Sequence, residues 1–268
     1  MVAFTRVKGS GGGLGGGVLR NCTVADNVAS NGGWTYESDL SDCEVARNWV
    51  SFKGGGAYDG YLAGCVVTGN YSHGEGGGVW RGTCTNGVLA GNEAQSHGGG
   101  AYDVALDNCT VTGNVSGNGG GGVRLGIARN CHIAGNEGRY GGGASIVALS
   151  DCVVISNTAM HGGGAYVSRL TNCTVSANRA GQGGGVWNCT SDWSRIEGNV
   201  ADEYGGGMLA GRARDCEIWG NRSLEYGGGS VNGALERCDV RGNEAGPDGG
   251  GGCRASFDNC AAVGNAAV

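Results

Sequence analysis

Apolar residues in this chain come in short alternating bursts, Cys-x-Val or Cys-x-Ile, that recur from Cys22-Thr23-Val24 to Cys238-Asp239-Val240. A period of 2 is the signature of a strand with one buried face, whereas an amphipathic helix would space its apolar residues by three and four. Set one under another, the bursts give three columns. The first holds Leu19, Leu40, Leu62, Leu106, Leu149, Leu170, Leu235 and Phe257. Three residues later come Cys22, Cys43, Cys65, Cys109, Cys131, Cys152, Cys173, Cys216, Cys238 and Cys260. Two further on are Val24, Val45, Val67, Leu89, Val111, Ile133, Val154, Val175, Ile196, Ile218 and Val240. The residues between the last two columns (Thr23, Glu44, Thr110, His132, Thr174, Glu217) are polar and are expected to face out.

These bursts keep step with a ladder of asparagines at intervals of 21 or 22 residues: Asn27, Asn48, Asn70, Asn92, Asn114, Asn136, Asn157, Asn178, Asn199, Asn221, Asn243 and Asn265. A fixed period over a whole chain means one supersecondary unit stacked many times. From the last residue of each Gly triplet to the Asn is 14 residues, as from Gly56 to Asn70, so length varies only in the link that follows the Asn. A strand that pairs with its equivalent one coil later builds a parallel ladder at about 4.8 Å per rung, and twelve coils a rod about 55 Å long. Stacking then places like side chains above one another. The Asn is expected at a coil corner, in the left-handed conformation, bonding the backbone of its own turn and the Asn of the next rung. The Gly triplet supplies another bend, where positive φ or close backbone approach excludes a Cβ.

The paired motif, G-G-G-[AV] as in Gly162-Gly163-Gly164-Ala165 and [VIL]-x-x-N as in Val175-Ser176-Ala177-Asn178, resembles the repeats of chlamydial polymorphic outer-membrane proteins and related bacterial right-handed β-helices. Those repeats carry G-G-A-[ILV] and F-x-x-N; here a third Gly replaces the Ala and an aliphatic replaces the Phe. The resemblance runs from about Gly11 to Asn265. It implies an all-β chain, a single right-handed parallel β-helix (β-solenoid) of about 12 coils over residues 11–268, with residues 1–10 a partial coil or trimmed flank. It also implies display at the cell surface, structural or adhesive.

Composition narrows this picture. The 61 glycines fall in register and so read as turns, not as linker, and a net charge of −6 without a basic run argues against a nucleic-acid partner. No stretch approaches the roughly 18 apolar residues of a membrane span. The start, Met1 to Lys8, lacks the apolar core of a signal peptide, so the chain is either intracellular or a trimmed piece of an exported protein, and the abrupt ends favour an extracellular or cell-surface one. Thirteen cysteines without a C-x-x-C pair fit neither a zinc site nor any other metal centre. A disulfide framework is the alternative, but thiols stacked one rung apart sit beyond the usual range of roughly 3.5–4.5 Å between Cβ atoms, so each bond would need local distortion. A column of buried free thiols is expected, with Cys84 in the leucine column and with Cys189 and Cys253, outside both columns, exposed. No cofactor is implied.

One surface feature stands out. The position two after the Gly triplet is aromatic at Tyr36, Tyr58, Trp80 and Tyr102, and again at Tyr166 and Trp187 after a gap at Arg124 and Ser145. Alternation with Ala57, Val79 and Ala101 points these rings outward, and Glu37, Asp59, Arg81 and Asp103 follow them. Such a stripe suits a sugar-binding groove; it equally suits a ladder that stabilises the sheet by stacking, or a face for another chain. A glycosidase would need two carboxylates about 5–5.5 Å or about 6.5–9.5 Å apart, separations that Glu37 with Asp59 and Asp59 with Asp103 permit. The chain has no N-T-D, G-H-G or R-I-K, the signatures of pectin-degrading β-helices, and its links are short. The expectation is a non-catalytic structural or adhesive rod whose partner is a surface glycan or another protein. Its alternatives are a carbohydrate-binding or carbohydrate-active β-helix, a glycosidase or lyase if an enzyme, and a solenoid that stacks end to end through the uncapped last coil at Asn265 to Val268.

Overall fold

The computed structural model describes residues 14–30 and 35–268; the expected flank at 1–10 lies outside them. All regular structure among the described residues is β. A coil carries three short runs of strand: Ala57–Tyr58 with Tyr61–Ala63, then Val66–Thr68, then Tyr71–Ser72. Each run pairs in parallel with its equivalents in the coils before and after. The result is three sheets, the second and third with 12 strands each. The first counts 19 because a bend splits it in some coils, while in others it runs through, as at Val79–Thr85. The register is that of the sequence columns. Leu62 lies between Leu40 and Cys84, and Val67 between Val45 and Leu89. These inward residues are fully buried and form one core along the rod.

The three corners of the coil use three different residues. Sequence alternation reads Cys-x-Val as one strand; the structure places the Cys at the corner between the first and second sheets, as with Cys65 between Ala63 and Val66. The residue before it is left-handed (Asn108 at φ 52°, Asp151 at φ 55°), which turns the next side chain inward. The turn takes that Cys amide out of the ladder, and sulfur receives it: Cys131 N–H donates to Cys152 Sγ at 3.4 Å. Cys152 in turn donates its S–H to Ser150 O at 3.1 Å. Where Ser194 replaces Cys it makes the same pair of bonds, accepting from Cys173 N–H at 3.1 Å and donating to Asp192 O at 2.9 Å. The corner therefore selects a small buried group that both accepts and donates, and sulfur's other chemistry is not required.

All thirteen cysteines are free. Cys84 sits in the leucine column as expected, but Cys189 is buried and not exposed. It fills an inward position of the first sheet that Ser168 holds one coil earlier, accepting Ser168 N–H at 3.3 Å, and burial pushes its thiol up to about 12. Cys22, Cys253 and Cys260 are half-exposed. A thiol reagent on the native protein is thus expected to titrate three cysteines quickly and ten only on unfolding. Fast labelling of Cys189 by mass spectrometry would contradict this packing.

The second corner carries the asparagine ladder. Asn136 donates from both its backbone N–H (2.9 Å) and Nδ2 (3.0 Å) to Asn157 Oδ1, and Nδ2 also donates to Val111 O at 2.9 Å. Two details differ from expectation. The left-handed residue is the one before the Asn (Arg47 at φ 53°, Gly135 at φ 60°, Ala177 at φ 52°), and the backbone carbonyl belongs to the preceding coil, 25 residues back. The reason is shared: once the preceding residue makes the turn, the Asn points into the core and bridges coils. The third corner is the Gly triplet, whose first residue is left-handed, as Gly162 is at φ 66°.

Candidate functional site

Tyr36, Tyr58, Trp80 and Tyr102 are each the second residue of a first-sheet strand in four successive coils, in register with one another. Their rings stack with centroids 4.9, 4.3 and 6.5 Å apart and planes within 25°. Both faces of Tyr58 and of Trp80 are therefore covered by neighbouring rings, and edges face solvent. Trp80 is only 6% exposed, not outward and open as alternation implies. Lys53 Nζ lies 4.7 Å and the Arg81 guanidinium 4.6 Å from its ring centroid, and its Nε1–H donates to Glu75 Oε2 at 3.2 Å. Cations over a ring are worth about 0.5–1 kcal/mol at partly exposed sites.

The charged residues after the rings, Glu37, Asp59, Arg81 and Asp103, are all left-handed, with φ between 49° and 59°. Glu37 and Asp59 sit where the bend divides the first sheet, whereas the strand runs through Arg81 and Asp103. Arg81 stands on the rung between Asp59 and Asp103, and its Nε is 3.3 Å from Asp103 Oδ2. A cation thus occupies the interval that an inverting pair would leave for water. Glu37 hydrogen-bonds the Tyr36 phenol and raises its pKa.

Across the Gly triplet runs a second column, Lys53 and Glu75, then His97, Gly119, Tyr140, His161, Gln182, Tyr204, Tyr226 and Asp248, each of the two runs bridged rung to rung. The two columns touch over the corner. His97 stacks on Tyr102 at 6.5 Å, Tyr140 tilts against Tyr166 at 5.2 Å, and His161 meets Trp187 edge-on at 4.5 Å. Burial, with Arg139 nearby, lowers the His161 pKa, and its Nδ1 has no partner among the described residues. Alignment on the asparagines hides this column, because the link of variable length lies between the Asn and the triplet. Counting back from the triplet would have shown it.

Near the end of the rod the aromatic residues change sides. The stripe positions become Leu209, Val231 and Cys253, while the opposite column carries Tyr204 and Tyr226, stacked at 5.8 Å. Exchanging large rings for smaller side chains on one side only leaves a cleft of about 540 Å³, with Leu209 and Val231 as its floor and Tyr204, Tyr226, Asp248 and Arg254 around it. Neither Asp248 nor Arg254 is ion-paired among the described residues. The charge of Glu225 raises the Tyr204 phenol, with Glu203 adding to it.

Residues 88–225 match the family model described as periplasmic copper-binding protein (NosD), a little over half of the 268-residue chain. No curated protein and no solved structure matches it.

Proposed function

The chain belongs to the NosD family, and from that premise we propose that it is an exported, non-catalytic β-helix that holds a ligand cleft on a rigid scaffold. The cleft between Tyr204–Tyr226 and Leu209–Val231 is the observation that carries this reading. Its volume lies in the usual range for small-molecule sites, roughly 300–1,000 Å³, and its lining joins an apolar bed of Leu209 and Val231 to a polar rim from Tyr204, Tyr226, Asn232, Asp248 and Arg254. Carbohydrate is the ligand class that fits best. Leu209 and Val231 offer an apolar bed for the C–H face of a sugar ring, and the tyrosines, Asn232, Asp248 and Arg254 offer partners for its hydroxyls. The Tyr36–Tyr102 stripe suits this role less well, since its ring faces are spent on one another, and its main contribution is to hold the corner rigid. Surface display, which the likeness to the chlamydial repeats implies, and a periplasmic location are both compatible with such a rod.

Copper is the group that the family description names, and the residues present do not fit it. Among the described residues no three His, Cys, Asp or Glu side chains come together to hold a metal ion, and residues 1–13 and 31–34 contain neither His nor Cys. Thiolates are the soft ligands that select Cu(I), but ten of the thirteen thiols are buried. Burial raises the Cys65 and Cys189 thiols.

A glycan array, read with the native chain and with Leu209→Trp, tests the proposal. Leu209→Trp is expected to fill the cleft and lower affinity at least about tenfold with an unchanged Tm. Trp80→Ala is expected to lower Tm while leaving binding in place. A blank array, or binding indifferent to Leu209→Trp, would overturn the carbohydrate reading.

A further inference from the structure

The outer face of the second sheet is divided sharply by charge. From Val66–Thr68 onward each of its three-residue strands turns its first and third residues outward. Over six successive coils these are Val66 and Thr68, Val88 and Ala90, Thr110 and Thr112, His132 and Ala134, Val153 and Ile155, and Thr174 and Ser176. None is Asp, Glu, Lys or Arg. The same positions in the next three coils are Arg195 and Glu197, Glu217 and Trp219, and Asp239 and Arg241, tied together by ion pairs such as Arg195 Nε–Glu217 Oε2 at 3.0 Å. On the other side the uncharged run stops at Glu44, a carboxylate without an ion pair among the described residues. The bend beside the face is flat as well, because Gly69, Gly91, Gly113 and Gly135 take the left-handed position there. Val66 and Val153 are about 40% exposed (41% and 38%).

A regular, flat, β-branched surface about 24 Å long at 4.8 Å per rung is built to meet another flat surface. We propose that this face packs against the same face of a second copy, with the two rods antiparallel about a two-fold axis. Charge identifies the occupant. An axis that lies along the strand direction, midway between the Thr110 and His132 rungs, sets each rung opposite its counterpart on the far side of the axis. Val88 then faces Val153, Val66 faces Thr174, and at the two borders Glu44 faces Arg195, at the same position within its strand. One self-complementary contact thus joins six uncharged rungs and closes with an opposite-charge pair at each end, as an isologous interface requires. Its strands run the same way in both sheets, the aligned sheet-on-sheet arrangement. The footprint is small for a specific interface, so the dimer dissociates on dilution. The Tyr204–Tyr226 cleft lies on another corner and stays open, one at each end of the pair.

Sedimentation velocity over a concentration series tests this. The native chain is expected to shift from monomer to dimer as concentration rises. Val153→Asp, which sets a carboxylate against Val88 of the other copy twice per dimer, should weaken association at least about tenfold with an unchanged circular dichroism spectrum. Glu44→Arg, which sets a guanidinium against Arg195 of the other copy, should weaken it less. A native chain that stays monomeric at every soluble concentration would overturn the proposal, and so would a dimer that Val153→Asp leaves intact.

Discussion

Asn136→Asp is expected to prevent folding at neutral pH, and Asn136→Ala to lower stability by about 3–5 kcal/mol, in the middle of a chain whose asparagine ladder is otherwise intact. In the native coil Asn136 Oδ1 accepts both the backbone N–H and the Nδ2 of Asn114, at 2.9 Å each. Its own Nδ2 donates to Val111 O and to Asn157 Oδ1. Alanine strands the Asn114 amide and the Val111 carbonyl in the core, and each orphaned group costs about 1–3 kcal/mol. Aspartate does worse, although it keeps both acceptor bonds. An oxygen in place of Nδ2 lies against two other acceptors, and a buried carboxylate with no cation carries a desolvation cost of several kcal/mol. Because each coil contacts only its neighbours, the damage is local, and the alanine variant should unfold in urea in two steps as the halves separate. Asn27→Ala is the control. No group among the described residues donates to Asn27 Oδ1, so about 1 kcal/mol is expected there. Equal losses at the two sites, read by circular dichroism, would refute the ladder as a clamp.

What was legible in the sequence follows from this nearest-neighbour construction. A side chain that touches its own copies above and below is repeated in type, so the Leu, Cys, Val and Asn columns could be read directly and gave both the fold and the register. Positions that act through backbone conformation were harder. The left-handed residue before each Asn is variously Asp26, Arg47, Gly69, Ser156 and Ala177, a set with no common side chain, so the sequence pattern marks the turn at the Asn, one residue late. Alternation puts the Cys corner in a strand because inward direction and period agree there by coincidence: the left-handed turn restores the facing that a straight strand would have. The stripe was visible, but alternation gives only direction. The covering of Trp80 by Lys53 comes from a loop whose variable length broke the alignment, and the same break hid Tyr140, His161, Tyr204 and Tyr226. The cleft depends on both columns at once, so neither read alone could show it.

Gly91 and Gly121 stand at opposite extremes among the glycines, one constrained by conformation alone and the other by space alone, and a pair of variants distinguishes the two constraints. Gly91 has φ 59° and nothing within 4 Å of where a Cβ would sit. The equivalent positions in other coils already carry Arg47 and Ala177 at nearly the same φ. Gly91→Ala is therefore expected to cost only the left-handed penalty, about 1 kcal/mol. Gly121 is the reverse case. Its φ is ordinary, so alanine is conformationally acceptable, but the Cβ would lie 2.3 Å from Glu137 O and 2.5 Å from Gly142 O. Both are backbone atoms, one of the same coil and one of the next, and neither can rotate away. Relief requires the coils to part at the triplet, lengthening the bonds from Gly121 N–H to Gly141 O at 3.1 Å and from Gly122 N–H to Gly142 O at 3.0 Å. A loss above about 4 kcal/mol is expected for Gly121→Ala, large enough to send much of the protein into the insoluble fraction on expression. If both variants melt within a degree or two of the native chain, the triplet is a conformational hinge like Gly91 and not a close backbone contact. The size of the difference measures how tightly the third corner sets the rung spacing on which the Asn and Cys clamps both depend.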